Sequence, residues 1–86
     1  MKQIQPVSIW YNGQEIQATI YNLIGVNDNL IDSCTFCYQL YVNQNFQVAD
    51  GNLTMSGADY IAYSTSTTAN DYAYQWGATQ LNLTLV

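Results

Sequence analysis

The sequence predicts an α+β domain: a small antiparallel β-meander of about five strands over residues 4–55, then a short helix over 57–63 and a C-terminal helix over 71–81. Three observations predict it. Apolar residues alternate with period two up to about residue 55 and recur at helical spacing after it. Two pairs, Asn12-Gly13 and Asp50-Gly51, are the residue types that two-residue hairpin turns require, because both central positions of a type I′ turn take positive φ. With 86 residues, 49% of them apolar, the chain makes a single domain, 1–86, that can bury a core.

The elements follow in order. A turn at Asn12-Gly13 pairs Trp10 with Glu15, Ile9 with Ile16, Ser8 with Gln17 and Val7 with Ala18. That register places Val7, Ile9, Ile16, Ala18 and Ile20 on one side and Ser8, Trp10, Glu15, Gln17 and Thr19 on the other. Pro6 has no N–H to give a neighbour, so the first strand belongs at a sheet edge. Asn27-Asp28-Asn29 ends the second strand near Val26. The third, Ser33 to Val42, puts Cys34, Phe36, Tyr38, Leu40 and Val42 on one face. Asn43-Gln44-Asn45 turns the chain again, and a turn at Asp50-Gly51 would pair Val48 with Leu53 and Phe46 with Met55.

Ser56-Gly57-Ala58-Asp59 reads as a capping box with Asp in the usual Glu position, opening the short helix. The last helix opens near Asn70-Asp71, where an amide and a carboxylate suit exposed N–H groups and the helix dipole. It carries Tyr72, Ala73, Trp76 and Gln80 on one face. Gly77 costs about 1 kcal/mol in a helix interior relative to Ala. Either another backbone approaches there or the glycine is a tolerated surface residue. Asn82 suits the left-handed position after the helix, with Leu83 folding back. Leu83 to Val86 then adds an edge strand or docks on a neighbour.

Composition excludes several functions. Lys2 is the only basic residue, Arg and His are absent, and six carboxylates leave a net charge of -5. Phosphate-based nucleic-acid binding and attraction to an anionic membrane both need cations the chain lacks. Histidine-dependent acid–base schemes, triads and arginine clamps are equally out of reach. Charge is replaced by nine Asn, nine Gln, eight Thr and five Ser. No apolar run of signal-peptide length lies within Met1 to Glu15, and no window approaches the roughly 18 apolar residues of a membrane span, so a soluble protein made in the cytosol is expected.

Candidate chemistry is thin. Cys34 and Cys37, three apart on an extended strand, have Cα atoms about 10 Å apart, beyond the roughly 7 Å limit of a disulfide. They read as free thiols. A zinc site would need carboxylates to complete it, and a thioredoxin-like pair would need a helix N-terminus in place of a strand. Asn27-Asp28-Asn29 with Asp32 is oxygen-rich enough for calcium but lacks the EF-hand glycine and distal glutamate, so a plain turn is favoured. Asp28 and Asp32 are also the only near pair of carboxylates, in a chain short for a glycosidase cleft. Asn52-Leu53-Thr54 and Asn82-Leu83-Thr84 match the glycosylation pattern without further support. The expectation is no enzyme, no cofactor and no metal.

The aromatics carry the remaining signal, with eight Tyr, two Trp and two Phe. Tyrosine packs one face while keeping a hydrogen-bonding tip, which suits interfaces. Trp10, on the polar side of the hairpin, is covered by a helix, covered by a neighbouring subunit, or free to stack on a sugar. The stretches Pro6-Val7-Ser8-Ile9-Trp10-Tyr11-Asn12-Gly13, Asp50-Gly51-Asn52-Leu53-Thr54-Met55-Ser56-Gly57-Ala58-Asp59-Tyr60 and Asn70-Asp71-Tyr72-Ala73-Tyr74-Gln75-Trp76-Gly77-Ala78-Thr79-Gln80-Leu81-Asn82-Leu83 resemble small structural proteins of tailed-bacteriophage virions. That resemblance implies a viral structural protein of head (capsid) or tail, located in the virion after synthesis in the host cytoplasm.

The composition fits the same expectation. Amide, hydroxyl and phenol surfaces let identical neighbours meet without charge repulsion, so a homo-oligomer that also docks on other virion proteins is expected. The interface set is Trp10, Tyr21, Tyr41, Leu85 and Val86, and the core-facing set of the last helix is Tyr72, Trp76 and Gly77. The alternative is a carbohydrate- or receptor-binding module at a fibre or particle surface, with a glycan as ligand.

Overall fold

The computed structural model describes residues 1–86 as four strands and two helices: β1 Lys2–Tyr11, β2 Gln14–Asp28, β3 Ser33–Asn43, β4 Phe46–Ser56, α1 Gly57–Thr65 and α2 Ala69–Gln80. The strands form one antiparallel sheet in the order β1-β2-β3-β4, as consecutive hairpins dictate. The α+β class and the succession of sheet then helices are as expected; the strand count is four.

The first hairpin matches its reading in detail. Asn12 and Gly13 have φ of 50° and 79°, the two left-handed residues of a type I′ turn. All four anticipated pairs, from Trp10 with Glu15 to Val7 with Ala18, are present. Pro6 lies on an edge strand, within the irregularity between Gln3 and Val7. The end of the chain covers part of that edge. The Gln5 N–H donates to the Thr84 carbonyl at 2.9 Å, the Val86 N–H donates to the Gln3 carbonyl at 3.1 Å, and Ile4 sits opposite Leu85.

The expected fifth strand does not exist, because Asp50-Gly51 does not turn. Neither residue has positive φ, and β4 runs straight through them with Asp50 opposite Gln39 and Gly51 opposite Tyr38. Gly51 instead makes room for an aromatic ring: a Cβ there would lie 2.6 Å from Tyr38 Oη. Gly25 likewise lies opposite Phe36. An aromatic ring across from a strand glycine covers the bare backbone that would otherwise weaken the sheet.

A second departure concerns alternation along β2. Ala18 and Tyr21 are three apart, yet both are fully buried in the same cluster. Strict period two would send them to opposite faces. The alternation breaks at Thr19-Ile20, across from the irregular stretch of β1. Beyond the break Tyr21, Leu23 and Gly25 face the same side as their partners Leu40, Tyr38 and Phe36, and Ile20 turns to the other side with Tyr41.

Both helices pack on the side that holds Tyr21 and Phe36. Ser56 remains paired with Ser33 at the end of β4, and Gly57, at φ 63°, swings the chain directly into α1. The Ser56 side chain caps nothing, so the expected capping box does not form. In α2 the N-cap is Thr68, also without a side-chain cap bond, and Asn70 lies inside the helix. Asp71, in its first turn, accepts a bond from Lys2 Nζ at 3.2 Å. At the other end Asn82 has φ 56°, the Leu83 N–H donates to the Ala78 carbonyl at 2.8 Å and the Asn82 N–H donates to the Thr79 carbonyl at 3.3 Å. This is a Schellman cap.

The core has two parts. Ile4, Ala18, Tyr21, Leu40, Val48 and Ala78 make one, with Val7, Ile9, Ile16, Leu83 and Leu85 packed around it. Cys34, Phe36, Met55, Tyr60 and Ala73 make the other, flanked by Tyr63, Tyr72 and Trp76. The buried positions of α2 are small: Ala73, Gly77 and Ala78. Small residues let the helix axis approach the sheet, and Gln80, expected beside Trp76, is exposed. At Gly77 the close neighbour is the Tyr21 hydroxyl, a side chain where a backbone was one expectation.

Candidate interaction surface

Phe36 meets Tyr63 edge-on at 5.6 Å and Trp76 at 6.0 Å between ring centroids, which fixes both helices to one face of the sheet. The opposite face carries no helix. Its residues follow from the register, since directly opposed residues share a face. They form four rows: Gln3, Ile20, Tyr41 and Gln47; Asn22, Gln39 and Asp50; Ile24, Cys37 and Asn52; Asn27, Thr35 and Thr54. Asp50 is the only charged residue among them. Hydrogen bonds run across the rows: Asn22 Nδ2 and Tyr41 Oη both donate to Gln39 Oε1, at 3.1 and 2.9 Å, and the Thr35 and Thr54 hydroxyls meet at 3.4 Å. Ile24 stands 44% exposed in this polar lattice.

Two apolar tips stand at the two ends of β2. At the first hairpin Trp10 is 76% exposed, beside a Gln17 Nε2 to Ser8 Oγ bond of 2.8 Å on the same side. At the other end the segment between β2 and β3 holds Leu30 and Ile31 in solvent, 83% and 80% exposed. Its neighbours build it rigidly. Asn29 Oδ1 accepts the N–H groups of Ile31, Asp32 and Ser33 at 2.9, 3.0 and 3.1 Å, and Asp28 Oδ1 accepts the Leu30 N–H at 2.8 Å. Asp28 and Asn29, two of the four side chains with oxygens suited to calcium, thus serve the turn, in line with the turn reading.

Leu30 has φ 61°, a conformation that costs a residue with a Cβ about 1–2 kcal/mol. Leu30→Gly is therefore expected to raise the urea midpoint, stabilising by up to about 1 kcal/mol after glycine's own entropic cost. A lowered midpoint contradicts this.

Tyr60 ties α1 to the same loop, its hydroxyl donating to Asp28 Oδ1 at 2.7 Å. That bond to a carboxylate, with burial second, pushes the Tyr60 phenol from 10.0 up to about 12. Burial, reinforced by Tyr74, raises Tyr21 as well. The folded state favours the protonated phenol, so this support is complete below pH 10 and disappears as pH rises through about 12. Thermal unfolding followed by circular dichroism is expected to show a midpoint that falls between pH 10 and 12, with a shallower fall in Tyr60→Phe. A Tyr60→Phe midpoint falling as steeply as wild type contradicts it.

The residues singled out from sequence divide as follows. Trp10 and Val86 are exposed, and Tyr41 is half-buried on the open face. Leu85 is half-buried against the core and committed to the Ile4 pairing. Tyr21 leaves the interface set: it is fully buried, and its hydroxyl donates to the Tyr74 carbonyl at 3.2 Å. Tyr72 and Trp76 flank the second cluster, and Gly77 is buried. Ile24, Leu30 and Ile31 were missed. The signal for the last two was present, as a pair of large aliphatics enclosed by turn residues.

Cys34 and Cys37 are free, the first buried, the second half-buried on the open face. Burial, reinforced by Asp28, raises the Cys34 thiol above its ordinary value, which disfavours the reactive thiolate. No three His, Cys, Asp or Glu side chains gather as metal ligands, and no helix is long and apolar enough to cross a membrane. Three surface grooves exist, and Trp10 lines none of them.

Fold and surface together define a two-layer α+β protein with one uncovered, nearly uncharged sheet face and two apolar tips. No family model matches the chain, and neither a curated protein nor a solved structure matches it. These comparisons give no support to the viral, tail and capsid assignment implied by resemblance, and it is not carried further. The stretches that carried it are accounted for by the fold: the β1–β2 hairpin, the end of β4 running into α1, and α2 with its Schellman cap.

Proposed function

We propose that this chain is a non-enzymatic structural protein that works by associating with copies of itself. One observation carries the reading: Trp10, Leu30 and Ile31 are 76%, 83% and 80% exposed at the two ends of β2, in a molecule 41 Å long. Exposed apolar side chains scattered singly are ordinary. A braced loop that holds two of them in water, opposite an exposed indole, supports a role in contact. The amide, hydroxyl and phenol composition supports the same reading, because such groups form interfaces between like-charged copies without opposing carboxylates.

Sedimentation velocity on the full chain, from micromolar to millimolar concentration, tests it. A concentration-dependent rise in sedimentation coefficient is expected. A strict monomer across that range overturns the proposal.

A further inference from the structure

We infer that the open face of the sheet is the surface on which two copies pair, face to face about a two-fold axis. The inference rests on the self-association reading and assigns it a place. The occupant follows from the chemistry of the face. Asn22, Gln39, Asn52, Gln47, Thr35, Thr54 and Tyr41 each both donate and accept hydrogen bonds. Such a surface is complementary to itself, which a surface of carboxylates or of cations is not, and a two-fold pair meets its own surface.

Charge points the same way. Of the six carboxylates this side holds two, Asp50 and, at the hairpin end, Glu15 beside Trp10, and Gln47 Nε2 donates to Asp50 Oδ2 at 3.4 Å. Two copies meeting here leave the other four carboxylates of each outside the contact. A cationic partner would find little on this face to neutralise.

Size and shape suffice. The thirteen positions of the four rows, each about 4.8 Å by 6.7 Å, give roughly 400 Å² per copy, and the Ser8–Gln17 and Trp10–Glu15 pairs on the same side bring this to roughly 550 Å², roughly 1,100 Å² for the pair, which reaches the lower bound for a specific interface. Ile20 and Ile24 supply aliphatic contact within it. The in-plane bonds among Asn22, Gln39 and Tyr41 hold the lattice before contact, so less side-chain freedom is lost on pairing.

Cys37 reports on this face and Cys34 on the interior, which gives a direct test on the full chain. Alkylation by iodoacetamide is followed by mass spectrometry as protein concentration rises. The Cys37 rate is expected to fall at least tenfold across the association transition, with Cys34 slow throughout. In parallel, Ile24→Asp and the isosteric Asn52→Asp are compared by sedimentation with Gln75→Asp, which adds the same charge at an exposed position of α2. The two face variants are expected to associate at least tenfold more weakly, and the α2 variant like wild type.

Association in which Cys37 stays as reactive as in the monomer overturns the inference and leaves the self-association reading standing. So does association unchanged by Asn52→Asp, whose fold is safeguarded by its shape. A chain that never associates overturns both.

Discussion

Phe36→Ala is expected to cost about 3–5 kcal/mol, out of the roughly 5–15 kcal/mol that holds a domain folded. Phe36 is 3% exposed at the centre of the second cluster, and its ring touches Tyr63 of α1 and Trp76 of α2. No other aromatic contact joins both helices to the sheet at one point. Its loss leaves a cavity where three elements meet, so the helices loosen together. Urea denaturation gives the magnitude. Tryptophan emission gives the location: Trp10 already stands in water, so a red shift on substitution belongs to Trp76. A cost below about 1 kcal/mol would show that α1 and α2 dock independently of this ring.

Gly77→Ala is expected to destabilise by about 1–3 kcal/mol, although alanine in a helix interior normally gains about 1 kcal/mol over glycine. The added Cβ would overlap the Tyr21 hydroxyl. That ring cannot swing aside: it is fully buried, edge-on to Tyr74 at 5.2 Å, and bonded to the Tyr74 carbonyl. Tyr21→Phe alone removes that bond at a cost of about 1 kcal/mol. In the double variant the obstructing oxygen is gone and alanine fits, so Gly77→Ala/Tyr21→Phe is expected to be more stable than Gly77→Ala. Such coupling is the mark of two groups in direct contact. Additive costs would place the strain elsewhere.

Local chemistry was legible where a motif determines its own geometry. Asn12-Gly13 requires left-handed residues and nothing distant opposes them, so the turn and its register could be read outright. Asn82 and Leu83 at the end of α2 are a similar case. Asp50-Gly51 carries the same signature, but there the decision is not local. Tyr38 on β3 occupies the space above Gly51, and a continuous pairing with β3 outweighs the turn preference.

Tyr21 was misplaced for a related reason. Strict alternation carried it to the outer side of the sheet, and the break at Thr19-Ile20 depends on how β1 crosses β2 near Pro6. Gly77 signalled a close approach, and only the fold identifies the Tyr21 hydroxyl as its object. Of the surface now assigned, Trp10 and Tyr41 were visible in sequence. The rows that join Tyr41 to Ile24, Cys37 and Asn52 emerge only once three strands are set side by side.

Because Ile4 lies across from Leu85, and Val86 bonds to Gln3, residues 1 and 86 end side by side. A few glycines would join them, and the ring so formed could be reopened at the exposed Gln44-Asn45 turn. The rearranged polypeptide would emerge β4 first, then both helices, then β1 to β3, with every spatial neighbour retained. Splitting the β3–β4 hairpin this way turns its pairing, adjacent in the natural order, into the longest-range contact in the molecule. Slower refolding at nearly unchanged equilibrium stability is the outcome that loop-closure entropy dictates.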